Sequence, residues 1–201
     1  MPPSSRRRRT ALLAPAVALL LAGCGVNSVP TAEETAKARW ADVQNEYQRR
    51  ADLIPNMVAT VKGYAAQEKD VLTQVTQARA SATAINVRTD DPESLKRFGA
   101  AQGELSAALG RLMSVTENYP DLKSNANFLA LQATLEGTEN QIRVARRDYN
   151  EAVQAYNTRI RTFPDAIGAK IFYGAKPMTP FEATTPGAQT APTIDFAPKP
   201  A

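Results

Sequence analysis

Apolar side chains recur along most of the chain at alternating three- and four-residue steps, the spacing that lines one face of an α-helix. The first seam reads Trp40, Val43, Tyr47, Arg50, Ile54, Met57, Val61, Tyr64, Glu68, Val71, Val75, Ala78, Ala82, Ile85, and only Arg50 and Glu68 break it. Its phase continues through Pro55, which predicts one long kinked helix rather than two helices joined by a turn. A second seam, Leu95, Phe98, Gln102, Leu105, Leu109, Leu112, Thr116, Tyr119, follows Asp91-Pro92-Glu93. There a capping carboxylate precedes proline at the first helical position. Gly99, Gly103 and Gly110 each weaken this helix by up to about 1 kcal/mol relative to alanine, so it depends on packing. The third seam, Phe128, Leu131, Leu135, Thr138, Ile142, Ala145, Tyr149, Ala152, Tyr156, Arg159, should start near Ser124 or Asn125 and stop at Pro164. No segment alternates with period two strongly enough for a sheet. The expected fold is all-α, an elongated antiparallel bundle of about three long, coiled-coil-like helices.

Proline sets the boundaries. Only Pro55, Pro92 and Pro120 fall between Thr31 and Phe163, whereas the segment from Pro164 to Ala201, Pro164 included, holds seven prolines. Residues 31–164 are therefore expected to form the bundle, and residues 165–201 a Pro-rich, largely disordered tail.

At the other end Arg6, Arg7, Arg8 and Arg9 precede an apolar stretch from Thr10 to Gly23, the order of an export signal. Leu21-Ala22-Gly23-Cys24 resembles the lipobox of bacterial lipoproteins. That resemblance implies cleavage before Cys24 and a diacylglycerol on its thiol. As a helix the apolar stretch would cover only about 21 Å of a hydrocarbon core about 30 Å thick. Residues 1–23 are thus expected to be a signal peptide and residues 24–30 a lipidated tether, at most about 20 Å long. Gly25 stands where aspartate commonly retains lipoproteins at the inner membrane. In a diderm cell the expected location is the periplasmic face of the outer membrane.

Composition narrows the chemistry. The 201 residues include no histidine and one cysteine, which lies at the end of the signal region. This removes His-based acid–base catalysis, Cys/His metal sites and internal disulfides together. Four of the 24 Lys and Arg belong to the signal, and the 20 that remain match the 20 Asp and Glu. A mature chain near neutrality argues against nucleic acid as a partner. Glycines are scattered, and no phosphate loop, nucleophile elbow or dinucleotide fingerprint occurs. The carboxylate pairs Glu136/Glu139 and Asp148/Glu151 lack the histidines of di-iron bundles, so no metal and no cofactor is expected.

Two polar groups interrupt the helices. Arg49, Arg50 and Asp52 beside Pro55 and Asn56 form either a docking surface at a kink or an ion-pair network to an antiparallel helix, with Glu139 or Asp148 as the partner. Tyr149-Asn150 and Tyr156-Asn157, seven residues apart on one face, either bind a glycan or peptide or close hydrogen bonds at a helical interface.

Arg49-Arg50-Ala51-Asp52-Leu53-Ile54-Pro55-Asn56, Val61-Lys62-Gly63-Tyr64, Tyr119-Pro120-Asp121-Leu122-Lys123 and Thr138-Glu139-Asn140 resemble the signature segments of the bacterial LemA family. Ala145-Arg146-Arg147-Asp148-Tyr149-Asn150, Tyr156-Asn157-Thr158 and Phe163-Pro164 extend the resemblance, which covers roughly Trp40 to Ala183. It implies a membrane-attached, extracytoplasmic helical domain and brings no established reaction. Many family members are held by a transmembrane helix, whereas this chain carries a lipobox. The expected function is a membrane-anchored scaffold or adaptor for other envelope proteins, without catalysis of its own. A glycan- or peptide-binding module, or an accessory factor in envelope protein quality control, is the alternative.

Overall fold

Thirty-seven residues, Ser28–Tyr64, form helix α1 in the computed structural model, which describes residues 27–182. Cys24, the expected signal peptide and the expected tail beyond 182 lie outside the described residues. Every seam residue of α1 from Trp40 to Val61 is buried, and the helix runs through Pro55. Proline has no N–H to offer the carbonyl of Ala51. Arg79 Nε donates to that carbonyl at 2.7 Å instead, which satisfies it and ties the next helix to α1.

That next helix, α2 (Lys69–Thr83), corrects the expectation of a single kinked helix. The chain reverses at 65–68 and α2 folds back along α1. Ala65, Ala66, Gln67 and Glu68 are good helix formers, so local propensity does not mark the break. A tertiary contact holds it: Tyr119 donates its hydroxyl to Glu68 Oε1 at 2.7 Å and accepts from Gln67 Nε2 at 2.9 Å. The reversal buries Leu72, Val75 and Ala82, which a straight continuation would have left in water. Leu72 is buried beside the half-buried Val71, while Val75 and Ala82 keep their seam positions.

Helix α3 (Pro92–Thr116) buries its whole expected seam from Leu95 to Thr116, and the Asp91 carboxylate accepts from the Glu93 N–H. One helical turn, α4 (Pro120–Lys123), leads into α5 (Ala126–Arg159), where the Asn125 side chain accepts from the Phe128 N–H. In α5 Val153 rather than Ala152 joins the core. Helices α1 and α5 run antiparallel, since Tyr64 meets Asn125, Arg50 meets Glu139 and Trp40 meets Tyr149. Glu68–Tyr119 and Ala82–Gln102 contacts show the same for α2 and α3.

With 37 and 34 residues, α1 and α5 outlast α2 and α3, which have 15 and 25. Their overhanging apolar faces need cover, and the chain past Pro164 supplies it. The expected boundary at 164 is therefore corrected: α6 (Asp165–Gly168) and a π-helical turn (Ala169–Tyr173) tuck under the bundle. Gly174, in the left-handed conformation at φ 54°, turns the chain, and residues 175–182 run back as an extended strap. Ala169, Met178 and Phe181 are buried. Proline-rich composition suggests disorder, but proline also preorganises an extended segment that has an apolar surface to lie on.

Two apolar clusters result. One gathers Trp40, Tyr47, Phe98, Tyr149, Tyr156 and Phe181, the other Ile54, Met57, Val61, Leu105, Leu112 and Phe128. Arg50 lies between them.

Candidate functional site

The first candidate group resolves into one residue. Arg50 has a side chain only 2% exposed. Its Nη1 donates to Glu139 Oε1 at 2.6 Å and to Ser106 Oγ at 2.9 Å, and its Nη2 donates to the carbonyl and the side-chain oxygen of Gln102. The guanidinium also sits 5.1 Å from the ring centre of Tyr47. Its Nε is buried without an acceptor. Burial raises the Tyr47 phenol above its ordinary pKa, against the pull of Arg146 and Arg50. One polar layer thus joins α1, α3 and α5 between the two apolar clusters.

The rest of that group faces water. Arg49 lies 3.6 Å from Glu46, Asp52 accepts from Gln48 at 2.8 Å, and Pro55 and Asn56 are exposed. Helical steps of about 100° per residue separate neighbours in sequence onto different faces, so adjacency did not imply assembly. Sequence reasoning missed Gln102 and Ser106 as partners. Gln102 carried a signal, being a polar residue on the second seam as Arg50 is on the first. Above the layer, Gly99, Gly103, Tyr47, Glu139, Arg146 and Phe181 border an open groove of about 590 Å³.

The second group comes together completely, around the chain's own strap. Tyr149 donates its hydroxyl to the Thr179 carbonyl at 2.9 Å and Tyr156 to the Lys176 carbonyl at 3.0 Å. Asn150 donates to the Phe181 carbonyl and accepts its N–H, at 2.9 and 2.7 Å. Asn157 grips Met178 in the same two-point fashion, at 2.8 and 2.9 Å. The spacings match: seven residues of helix rise about 10.5 Å, and three residues of extended chain cover about 9–10 Å. Pro177 and Pro180 repeat with the same three-residue period and hold Lys176 and Thr179 extended. Burial raises the Tyr149 phenol to about 12 and the Tyr156 phenol less, so both remain hydrogen-bond donors at neutral pH.

The strap is fastened elsewhere as well. Thr179 N–H donates to the Thr89 carbonyl at 3.1 Å, linking it to the loop before α3. The Arg146 guanidinium lies 4.1 Å over the Phe181 ring and donates to the Glu182 carbonyl at 3.0 Å. Phe181 itself packs against Trp40, Tyr47 and Phe98.

Of the carboxylates considered for a metal, Glu139 is taken by Arg50, and Asp148 and Glu151 lie 2.9 and 3.6 Å from Arg147. Among the described residues no helix is long and apolar enough to cross a membrane.

Comparison with known proteins matches residues 39–196 to the model of the LemA family, a span that includes the strap. Magnetosome protein MamQ 2 of Paramagnetospirillum magneticum is 27% identical over 157 residues, covering 69% of this chain and 58% of that protein. Protein LemA of Metamycoplasma hominis is 31% identical over 118 residues, covering 59% of this chain and 51% of that protein. Magnetosome protein MamQ of Magnetospirillum gryphiswaldense is 25% identical over 157 residues. The chain thus spans little more than half the length of the curated relatives it matches.

Proposed function

The chain belongs to the LemA family, and from that premise we propose that it is a membrane-anchored extracytoplasmic lipoprotein that serves as a helical scaffold or adaptor for other envelope proteins. On this reading Cys24 carries the lipid, the helices present surfaces to partners, and the domain performs no catalysis. One observation supports it above others. The polar side chains best suited to chemistry, Arg50 with Glu139 and the two Tyr-Asn pairs, are engaged in joining helices and strap. Such bonds make a rigid body, and a rigid body is what a docking platform needs.

Cross-linking in intact cells, followed by identification of the captured proteins, tests the adaptor role directly. In parallel, the chain from Gly25 onward is assayed against peptides, peptidoglycan fragments and phosphoesters. Turnover abolished by a single carboxylate substitution that leaves the fold intact would overturn the reading. A ligand-binding role for peptide or glycan is the second reading, favoured by the groove of about 590 Å³ beside Phe181 with Arg146 at its rim. Mass spectrometry of the purified protein for a retained ligand separates the two.

A further inference from the structure

The end of the bundle where α1 begins is built against the usual pattern. Among the described residues, the large apolar side chains most open to water are Phe163, Ile171, Phe172 and Ile167, exposed by 82, 70, 69 and 53%. All four fall within ten residues. Small residues take the inward positions of the same segment, with Ala169 buried and Ala166 half-buried. A turn that packs by alanine and offers isoleucine and phenylalanine outward gains nothing from water.

The charge around this patch has one dominant sign. Between residues 159 and 176 lie Arg159, Arg161, Lys170 and Lys176, with Asp165 the one acidic residue. Asp165 is already engaged, accepting from Ser28 Oγ at 2.7 Å and lying 3.7 Å from Arg159. The first turn of α1 adds no acidic side chain. Arg161, Lys170 and Lys176 are exposed.

Position then selects the partner. Ser28 opens α1 at this end, and Cys24 precedes it by four residues, a length of chain that spans at most about 14 Å. Whatever holds Cys24 in a bilayer holds this end at its surface.

We propose that this end of the bundle docks on the lipid bilayer, with Phe163, Ile167, Ile171 and Phe172 entering the interface and Arg161, Lys170 and Lys176 meeting anionic headgroups. The inference rests on the proposed lipid anchor at Cys24. A tether alone leaves the domain free to tumble, whereas a second contact stands the bundle on its end. Arg50, 22 residues up α1 from Ser28, is then carried about 33 Å from the base of the bundle.

The test reconstitutes the full processed chain into vesicles of phosphatidylglycerol and phosphatidylcholine brominated on its acyl chains. Trp40 is the single tryptophan and is buried in the core well above the base, so the wild type supplies an unquenched reference. Phe172→Trp and Ile167→Trp place a reporter at the base, and Leu129→Trp places one on an exposed position toward the far end. Flotation of the vesicles reports the anchor separately. The expected result is flotation of every variant, with the base reporters blue-shifted and quenched several-fold more strongly than Trp40 or Trp at 129. Flotation with an unquenched, water-like emission at 172 and 167 overturns the docking while leaving the anchor standing. A blue-shifted but unquenched emission assigns the patch to a second copy or another segment, and equal quenching at 129 means the domain lies flat; either overturns it. Failure to float overturns anchor and docking together.

Discussion

Glu139→Ala tests the polar layer most directly, because it leaves the Arg50 guanidinium buried without the carboxylate that faces it at 2.6 Å. Removing one partner of a buried ion pair costs about 3–5 kcal/mol, and a hydrogen bond to a charged group contributes about 1.5–3 kcal/mol. The structure places this case at the lower end. The Glu139 side chain is 42% exposed, so water reaches the vacated place, and Ser106 and Gln102 retain their bonds to Arg50. The expected loss is about 3 kcal/mol, or a melting temperature lower by about 6–12 °C for a chain of this size. Urea and thermal unfolding of the chain from Gly25 onward, followed by far-ultraviolet circular dichroism, measure it. Arg50→Met with Glu139→Leu removes both charges at similar volume and should recover most of the loss. A Glu139→Ala variant within about 0.5 kcal/mol of wild type, the range of ordinary surface changes, refutes the layer as a structural lock. Unchanged melting with lost partner capture would instead make Glu139, at the edge of the groove, part of an interface.

The strap makes three further outcomes measurable together with the proposed anchor. Asn157→Ala removes both bonds to Met178 and strands a buried N–H, a loss of about 2 kcal/mol; hydrogen exchange at Met178 and Phe181 should accelerate while α1 amides hold. The pKa of Tyr149 is raised in the folded state, so its contribution to stability is complete below about pH 10 and is lost as the pH climbs toward about 12. Alkaline unfolding of Tyr149→Phe should therefore decline less steeply through that window than wild type. Cys24→Ser should release the protein from membranes after carbonate washing, and retention at wild-type level would show that something else anchors it.

Much of the helical body was legible because burial and periodicity are one constraint. Seam residues from Trp40 to Val61 and from Leu95 to Thr116 are buried as the 3-4 spacing requires, and Asp91 and Asn125 cap where their side chains fit the start of a helix. The two interruptions of the first seam had different physical origins. Arg50 breaks the seam because it is buried with partners from α3 and α5; Glu68 breaks it because it lies in the turn between α1 and α2. Both look alike in one dimension, since the partners that decide between them, Glu139 and Tyr119, are each more than 50 residues away.

The strap shows why composition misled where spacing would have served. Seven prolines after Phe163 describe a chain unfit for helix, and that is correct for residues 175–182. An extended segment without its own ladder must still find partners for its N–H and C=O groups when buried. Tyr149, Asn150, Tyr156 and Asn157 provide them from α5, and the donors and acceptors they offer exceed what a helix–helix contact would use. The legible clue was therefore a pair of periods: Tyr-Asn repeated after seven residues on a helix, and proline repeated after three in the tail, advance by nearly equal distances. Two periods that agree in length along antiparallel segments specify a register. A strap held in register also fixes the turn that precedes it, because Gly174 follows Tyr173 directly and Lys176 is the first clamped residue. The grip of α5 on the strap thus presents Ile167, Ile171 and Phe172 at the base of the bundle, and loosening the clamp with Asn150→Ala and Asn157→Ala should weaken the proposed membrane contact without touching a residue proposed to enter it.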